Sequence, residues 1–154
     1  MIYLKMNNYM TKTDMKFFKK ARKVALLSDY KKVHIGCVAV YQGQIIGIGC
    51  NLEKTHPIQA HYNIFRNKDI SLCSSLLPKL HAEINCLNAI RHMNINFSKI
   101  KLYIYRIRKD ELIGICKPCP SCMAAIKDLG ISIIRLMMDL LMREFMIMRW
   151  LNEM

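Results

Sequence analysis

His81-Ala82-Glu83 and, further along, Pro118-Cys119-Pro120-Ser121-Cys122 decide the reading of this chain. Together they offer one imidazole, two thiols and a carboxylate that need not be a ligand. Zinc binds nitrogen and sulfur donors of this kind. A tetrahedral ion with three protein ligands keeps its fourth position for water, which marks a catalytic rather than a structural site. Two thiolates and a neutral His leave the ion formally neutral. Such an ion lowers the pKa of water from about 15.7 toward roughly 7, so hydroxide is available at neutral pH as a nucleophile. Its attack leaves protons to be moved to the reacting groups. A single carboxylate beside the metal can carry them, and Glu83 is the candidate.

The spacing supports the residue types. Cys119 and Cys122, three apart, reach one point from the first turn of a helix. Pro118 precedes that turn, and Pro120 fits an early helical position where its missing N–H costs nothing. A helix N-terminus also favours two thiolates. Taken alone, Cys-x-x-Cys is equally half of a structural zinc site completed by Cys116 or Cys86, or a redox pair, and His-x-Glu alone says little. Both strings in this order, each opening a helix, favour the catalytic arrangement. The other cysteines (Cys37, Cys50, Cys73, Cys86, Cys116) lie mostly in apolar or mixed runs and read as buried free thiols.

His-x-Glu followed by Pro-Cys-x-x-Cys is the pattern of zinc nucleobase deaminases, and the chain resembles the cytidine/deoxycytidylate deaminase superfamily over roughly residues 15–135. The resemblance implies a three-layer α/β fold, with a mixed five-stranded sheet, helices on both faces and the two zinc-bearing helices side by side on one face. It implies zinc held by His81, Cys119 and Cys122, with Glu83 as proton shuttle. It places the backbone N–H of Ala82 against the pyrimidine carbonyl and Asn51, after the second strand, against the substrate sugar. An Asn after a strand also simply makes a turn. His as first ligand is similar to deoxycytidylate, tRNA-adenosine and polynucleotide cytosine deaminases rather than to free-nucleoside enzymes. Leu52 stands directly after Asn51 where the nucleotide-regulated pattern has Gly, which argues against allosteric control. Family members commonly form dimers or hexamers, so a homo-oligomer is implied.

Hydrophobic periodicity gives the same class independently. It predicts a helix over 13–27 with Phe18, Ala21 and Ala25 on one face, and strands over 35–41 and 44–50 joined by a Gln42-Gly43 turn. A long polar stretch over 51–78 follows, with room for a short helix. Further on come a helix over 81–93, a strand over 101–107, an apolar lead-in over 112–115, a helix over 119–129 ended by Gly130, and a strand over 131–136. Alternating helices and strands make an α/β layered domain. In the polar stretch, His56 and Tyr62 are candidates to stack on or hydrogen-bond a base or phosphate; the alternative is that they pin the loop. His34 reads as a surface residue, and His61 and His92 carry no signal.

Length and charge set the bounds. The 154 residues suit one domain, 1–154, with its core at about 13–136. There is no leader and no apolar run long enough to span a bilayer. Seven cysteines without a leader fit a reducing, cytoplasmic compartment. Net charge is +13, and residues 1–32 hold nine Lys/Arg against Asp14 and Asp29. That balance favours anionic partners: a pyrimidine nucleotide, or single-stranded nucleic acid. A solvated helix face is the plainer account.

The C-terminus departs from the family. Where relatives carry a polar stretch like I-Y-Y-T-T-D-D-G-F, this chain continues from Ile133 as I-I-R-L-M-M-D-L-L-M, and six of its twelve methionines fall within 137–154. Residues 137–154 read either as an atypical amphipathic helix or as a frameshifted end, since reverse translation in a shifted frame gives T-T-D-D-G-F-A-Y-E. The chain is thus expected to be a zinc-dependent deaminase of a (deoxy)cytidine nucleotide, most like deoxycytidylate deaminase. The alternatives are a deaminase of cytosine or adenine in single-stranded DNA or RNA, and an inactive zinc-stabilised nucleic-acid-binding module.

Overall fold

The computed structural model describes residues 10–66, 79–108 and 116–137. The apolar lead-in expected at 112–115 and the tail at 138–154 lie outside them.

Helix α1 (Lys12–Ala25) starts one residue before the periodicity indicates, because Thr11 and Asp14 form a capping box. Its apolar face buries Phe17, Phe18, Ala21, Val24 and Ala25. Asp14 also accepts a hydrogen bond from the Tyr103 hydroxyl at 2.8 Å, which ties the first turn to the sheet. Strands β1 (His34–Tyr41) and β2 (Gln44–Cys50) form the expected hairpin. Gln42 and Gly43 turn it with φ of 49° and 78°, the left-handed pair that suits the twist of two-residue hairpins.

The stretch read as a long loop contains more structure than its polarity suggests. Strand β3 (Leu52–Thr55) pairs antiparallel with β4 (Lys79–Leu80), and between them lies the short helix α2 (Pro57–Asn63). Helix α3 spans Ala82–Ile90, shorter than the expected 81–93. Strand β5 (Lys101–Ile107), helix α4 (Pro120–Asp128) and strand β6 (Ile133–Leu136) follow. Gly130, at φ 74°, ends α4 as expected.

The main sheet has the order β2-β1-β5-β6, with β6 parallel to β5 and the other pairs antiparallel. It is mixed, as expected, but among the described residues it has four strands rather than five. β3 pairs with β4 as a separate ribbon instead of extending it.

Strand alternation divides the layers. Val38, Val40, Tyr103 and Tyr105 pack with α1 on one face. Cys37, Ala39, Leu102 and Ile104 pack with α3 and α4 on the other. Gly49 lets α3 lie directly on β2: a Cβ there would stand 2.6 Å from the Ala82 carbonyl oxygen. This approach sets the first turn of α3 at the C-terminal end of β2. Among the described residues no helix is long and apolar enough to cross a membrane.

Candidate active site

Two helix N-termini meet at this end of the sheet. His81 is the N-cap of α3 and Cys119 the N-cap of α4, and neither side chain makes a capping hydrogen bond. N-cap positions ordinarily use Ser, Thr, Asp or Asn to satisfy an open helix N–H. Here both side chains turn toward each other instead. Pro120 occupies the first turn of α4, and Cys122, within that turn, brings the second sulfur to the same point.

His81 Nδ1 lies 3.4 Å from Cys119 Sγ and 3.4 Å from Cys122 Sγ, and the sulfurs are 3.6 Å apart. A tetrahedral zinc at about 2.3 Å from sulfur and about 2.1 Å from nitrogen has ligand–ligand edges of roughly 3.6–3.8 Å. The three atoms therefore already stand close to the edges of a zinc tetrahedron. Among the described residues this is a cluster of three, which leaves the fourth position to water. Cys116 is directed elsewhere: its thiol donates to the carbonyls of Ile104 and Met137. Cys86 interacts with Cys37. Neither supplies the fourth ligand of a structural site, and Cys119 and Cys122 are free thiols rather than a disulfide.

The electrostatics suit a cation. The hydrogen bond with Cys122, helped by His81, holds the Cys119 pKa down to about 3, so Cys119 is a thiolate at neutral pH. The same pairing with Cys119, followed by burial, pushes Cys122 up. A divalent ion between them removes that competition, because both bind as thiolates. Burial alone would lower His81, but the hydrogen bond and charge of Cys119 outweigh it and raise its pKa. Glu83, in the first turn of α3, is 5 % exposed. Burial raises its carboxyl pKa against the opposing pull of His81, and it also hydrogen-bonds with Cys122. A buried carboxyl with a raised pKa thus stands beside the ligands, the placement a shuttle needs.

A family model for the zinc-binding region of cytidine and deoxycytidylate deaminases matches residues 11–138. The chain belongs to this family. It is a zinc-dependent hydrolytic deaminase by that membership, and the His81–Cys119–Cys122 cluster fits the metal. Among solved structures the deaminase is similar to the dCMP deaminase of cyanophage S-TIM5 in apo form, at 20% identity over 83% of this chain and 84% of that one, TM-score 0.57. The same phage enzyme in complex with dCMP and dUMP aligns at 17% identity over 84% and 100% of the two chains, TM-score 0.51. A guanine deaminase from Bacillus subtilis aligns at 20% identity over 83% and 64%, TM-score 0.47. At these identities the likeness to the phage enzyme shows the fold. A comparison with curated proteins finds no match.

The other candidate residues of the deaminase lie in different places. Ala82 is the first residue of α3, so its N–H has no partner within the helix. Asn51 is 7 % exposed. Its Oδ1 accepts from the Ile35 N–H at 2.7 Å and its Nδ2 donates to the Val33 carbonyl at 2.8 Å. It therefore fastens the chain entering β1, with one Nδ2 hydrogen left for another acceptor. His56 caps α2, its Nδ1 accepting from the Ile58 N–H. Tyr62 packs in the core, and its hydroxyl bonds Asp128 in the last turn of α4. Asp128 is six residues past Cys122, about 9 Å along the helix, so the Tyr62 hydroxyl is not brought to the metal cluster.

Sequence reasoning gave no role to Gln59 or Asn63. Gln59 is fully buried; its Oε1 accepts from the His81 N–H at 2.9 Å and its Nε2 donates to Asn63 Oδ1 at 2.8 Å. The same Oδ1 accepts from Ser121 Oγ at 3.1 Å. One short helix thus holds both ligand-bearing turns in register. The signal available was the i, i+4 spacing of two amides after Pro57 in a helix-starting pattern. Asn63→Leu leaves Gln59 Nε2 and the buried Ser121 hydroxyl without their acceptor, and zinc affinity is expected to fall about 10–100-fold, as when other outer-shell partners are removed. Asn63→Asp keeps the acceptor and should restore most of it. Chelator competition measures both, and unchanged affinity in Asn63→Leu would remove α2 from the support of the site.

Proposed function

We propose that this single-domain deaminase converts the cytosine moiety of a (deoxy)cytidine nucleotide to uracil, with dCMP the best-matched substrate. The observation that carries the reading is the near-tetrahedral spacing of His81, Cys119 and Cys122 beside a buried Glu83. When bound, the zinc supplies a Lewis acid that makes water a nucleophile at neutral pH. Glu83 takes one proton from the attacking water and delivers it to the ring nitrogen, then takes the second proton of the same oxygen and passes it to the leaving amine, so that water and the aminopyrimidine become the keto product and ammonia. The Ala82 N–H, open at the start of α3, polarises the pyrimidine carbonyl. The remaining Nδ2 hydrogen of Asn51 meets the sugar, and His56 borders the mouth.

Arg66 supports a phosphorylated substrate. Its Nη1 lies 3.4 Å from His81 Nε2. With Nδ1 on the metal, Nε2 carries the ring proton, so two donors converge where an anion fits. That a dCMP deaminase of the same fold was solved with dCMP and dUMP agrees with this choice. A reducing, cytoplasmic setting and a homo-oligomer complete the proposal. The inactive-module alternative is disfavoured by Glu83, whose burial beside the ligands costs stability that an idle site has no reason to bear.

A panel of dCMP, dCTP, deoxycytidine, cytosine and a cytosine-containing single-stranded oligonucleotide tests it. The expected result is the highest kcat/KM for dCMP, with Arg66→Gln raising KM for dCMP and leaving deoxycytidine unaffected. Equal turnover of deoxycytidine and dCMP would overturn the phosphate reading. Turnover of the oligonucleotide alone would move the substrate to polynucleotide.

A further inference from the structure

The His81-Ala82-Glu83 string is bracketed by ties to the end of β2. On one side Leu80 pairs with Leu52 across the β3–β4 ribbon. On the other, Asn85 Nδ2 donates to the Cys50 carbonyl at 2.9 Å. Asn51 stands between Cys50 and Leu52, so both of its chain neighbours are fastened to residues that flank the metal turn. Asn85 belongs to that turn itself. Its N–H donates to the His81 carbonyl at 2.9 Å, the bond that closes the first turn of α3 over Ala82 and Glu83.

The direct holds on Asn51 lead elsewhere. Its N–H donates to the Ile35 carbonyl at 3.2 Å, its carbonyl accepts from Ser28 Oγ at 2.7 Å, and its side-chain amide bonds Val33 and Ile35. These bonds fix Asn51 to the entry of β1 and set no distance to α3. The Cys50–Asn51 peptide supplies that link. A trans peptide is planar, with its N–H and C=O pointing to opposite sides. Here β1 holds the N–H and Asn85 holds the C=O, so the plane is pinned from both. Close packing brings the two elements within reach of so short an amide: a Cβ on Gly49 would stand 2.8 Å from the Asn85 carbonyl carbon.

We propose that Asn85 is a positioning residue for the deamination: by holding the Cys50 carbonyl it sets the distance from Asn51 to the Ala82 N–H and Glu83, so that a nucleotide gripped at its sugar presents its ring in reacting register. The inference rests on the reading that Asn51 meets the sugar and Ala82 the pyrimidine carbonyl. Asn85 acts through Asn51 and not on the reacting groups.

The test compares Asn85→Leu and Asn85→Asp with the wild type, each loaded with zinc, on dCMP and on its dideoxy analogue, whose sugar carries no free hydroxyl. Leu keeps the volume and Asp the shape, and both lose the Nδ2 donor. On dCMP both variants should lose about 10–100-fold in kcat/KM, the scale of an ångström-size misplacement. On the dideoxynucleotide the sugar contact is already missing, so the loss should stay within about twofold, as for a change with no partner left to couple to. Chelator competition should give the same zinc affinity for all three proteins. Equal losses on the two substrates, in variants that hold zinc as the wild type does, would overturn the inference and leave the sugar reading standing. A fall in zinc affinity matching the loss of turnover would also overturn it, because Asn85 would then support the metal turn. Wild-type kinetics on dCMP in either variant would remove the amide from the reaction. A wild type that does not prefer dCMP to its dideoxy analogue would overturn the sugar reading and this inference with it.

Discussion

Glu83→Gln is expected to retain zinc and a folded structure while deamination of dCMP slows by about 10²–10⁴-fold, the usual worth of a positioned acid–base group. The loss can be larger, since one carboxyl serves both proton transfers. The substitution is nearly isosteric, and Glu83 is 5 % exposed, so packing around it changes little. The amide cannot take a proton from water or hand one to the amine. Metal analysis beside steady-state kinetics separates the two effects. Turnover near that of the wild type with full zinc content would take Glu83 out of the chemistry.

Cys122→Ala should release the metal and lower the melting temperature. Cys122 is fully buried in the first turn of α4, and its sulfur is 3.4 Å from the ring of His81 at the start of α3. An ion held there ties the two helices together, and its binding free energy is folding free energy. At free zinc about a thousandfold above Kd, that linkage is worth about 4 kcal/mol, or on the order of 10 °C for a domain of this size. Differential scanning with and without a chelator reads it directly: the wild type should shift and the variant should not. Stoichiometric zinc retained in the variant would sink the ligand assignment.

These predictions rest on residues that were visible in the sequence. Imidazole, paired thiols and one carboxylate at fixed spacings have few other uses, and helix N-termini are marked by Pro and by short strings of small polar residues. The binary pattern of β1, β2, β5 and α1 was legible because one face of each is buried against a layer. Boundaries were less so. Thr11 and Asp14 moved the start of α1 through a local hydrogen-bonded cap that hydrophobic periodicity does not register.

The sequence by itself determined the ligand types, the family pattern, the layered α/β class and the residues that begin each zinc-bearing helix. Tertiary structure decided what depends on distant segments meeting. It joined β3 to β4 across the polar stretch and made α2 the strut under both ligand turns. It turned the Tyr62 hydroxyl toward Asp128 and used both polar ends of Asn51 to hold the entry to β1. It also gathered Arg22, Lys31, Lys32 and Arg108 into one groove. Side-chain hydrogen bonds and charge clusters of this kind join residues far apart in the chain. They leave no period in the sequence, because their geometry exists only after the sheet and helices have packed.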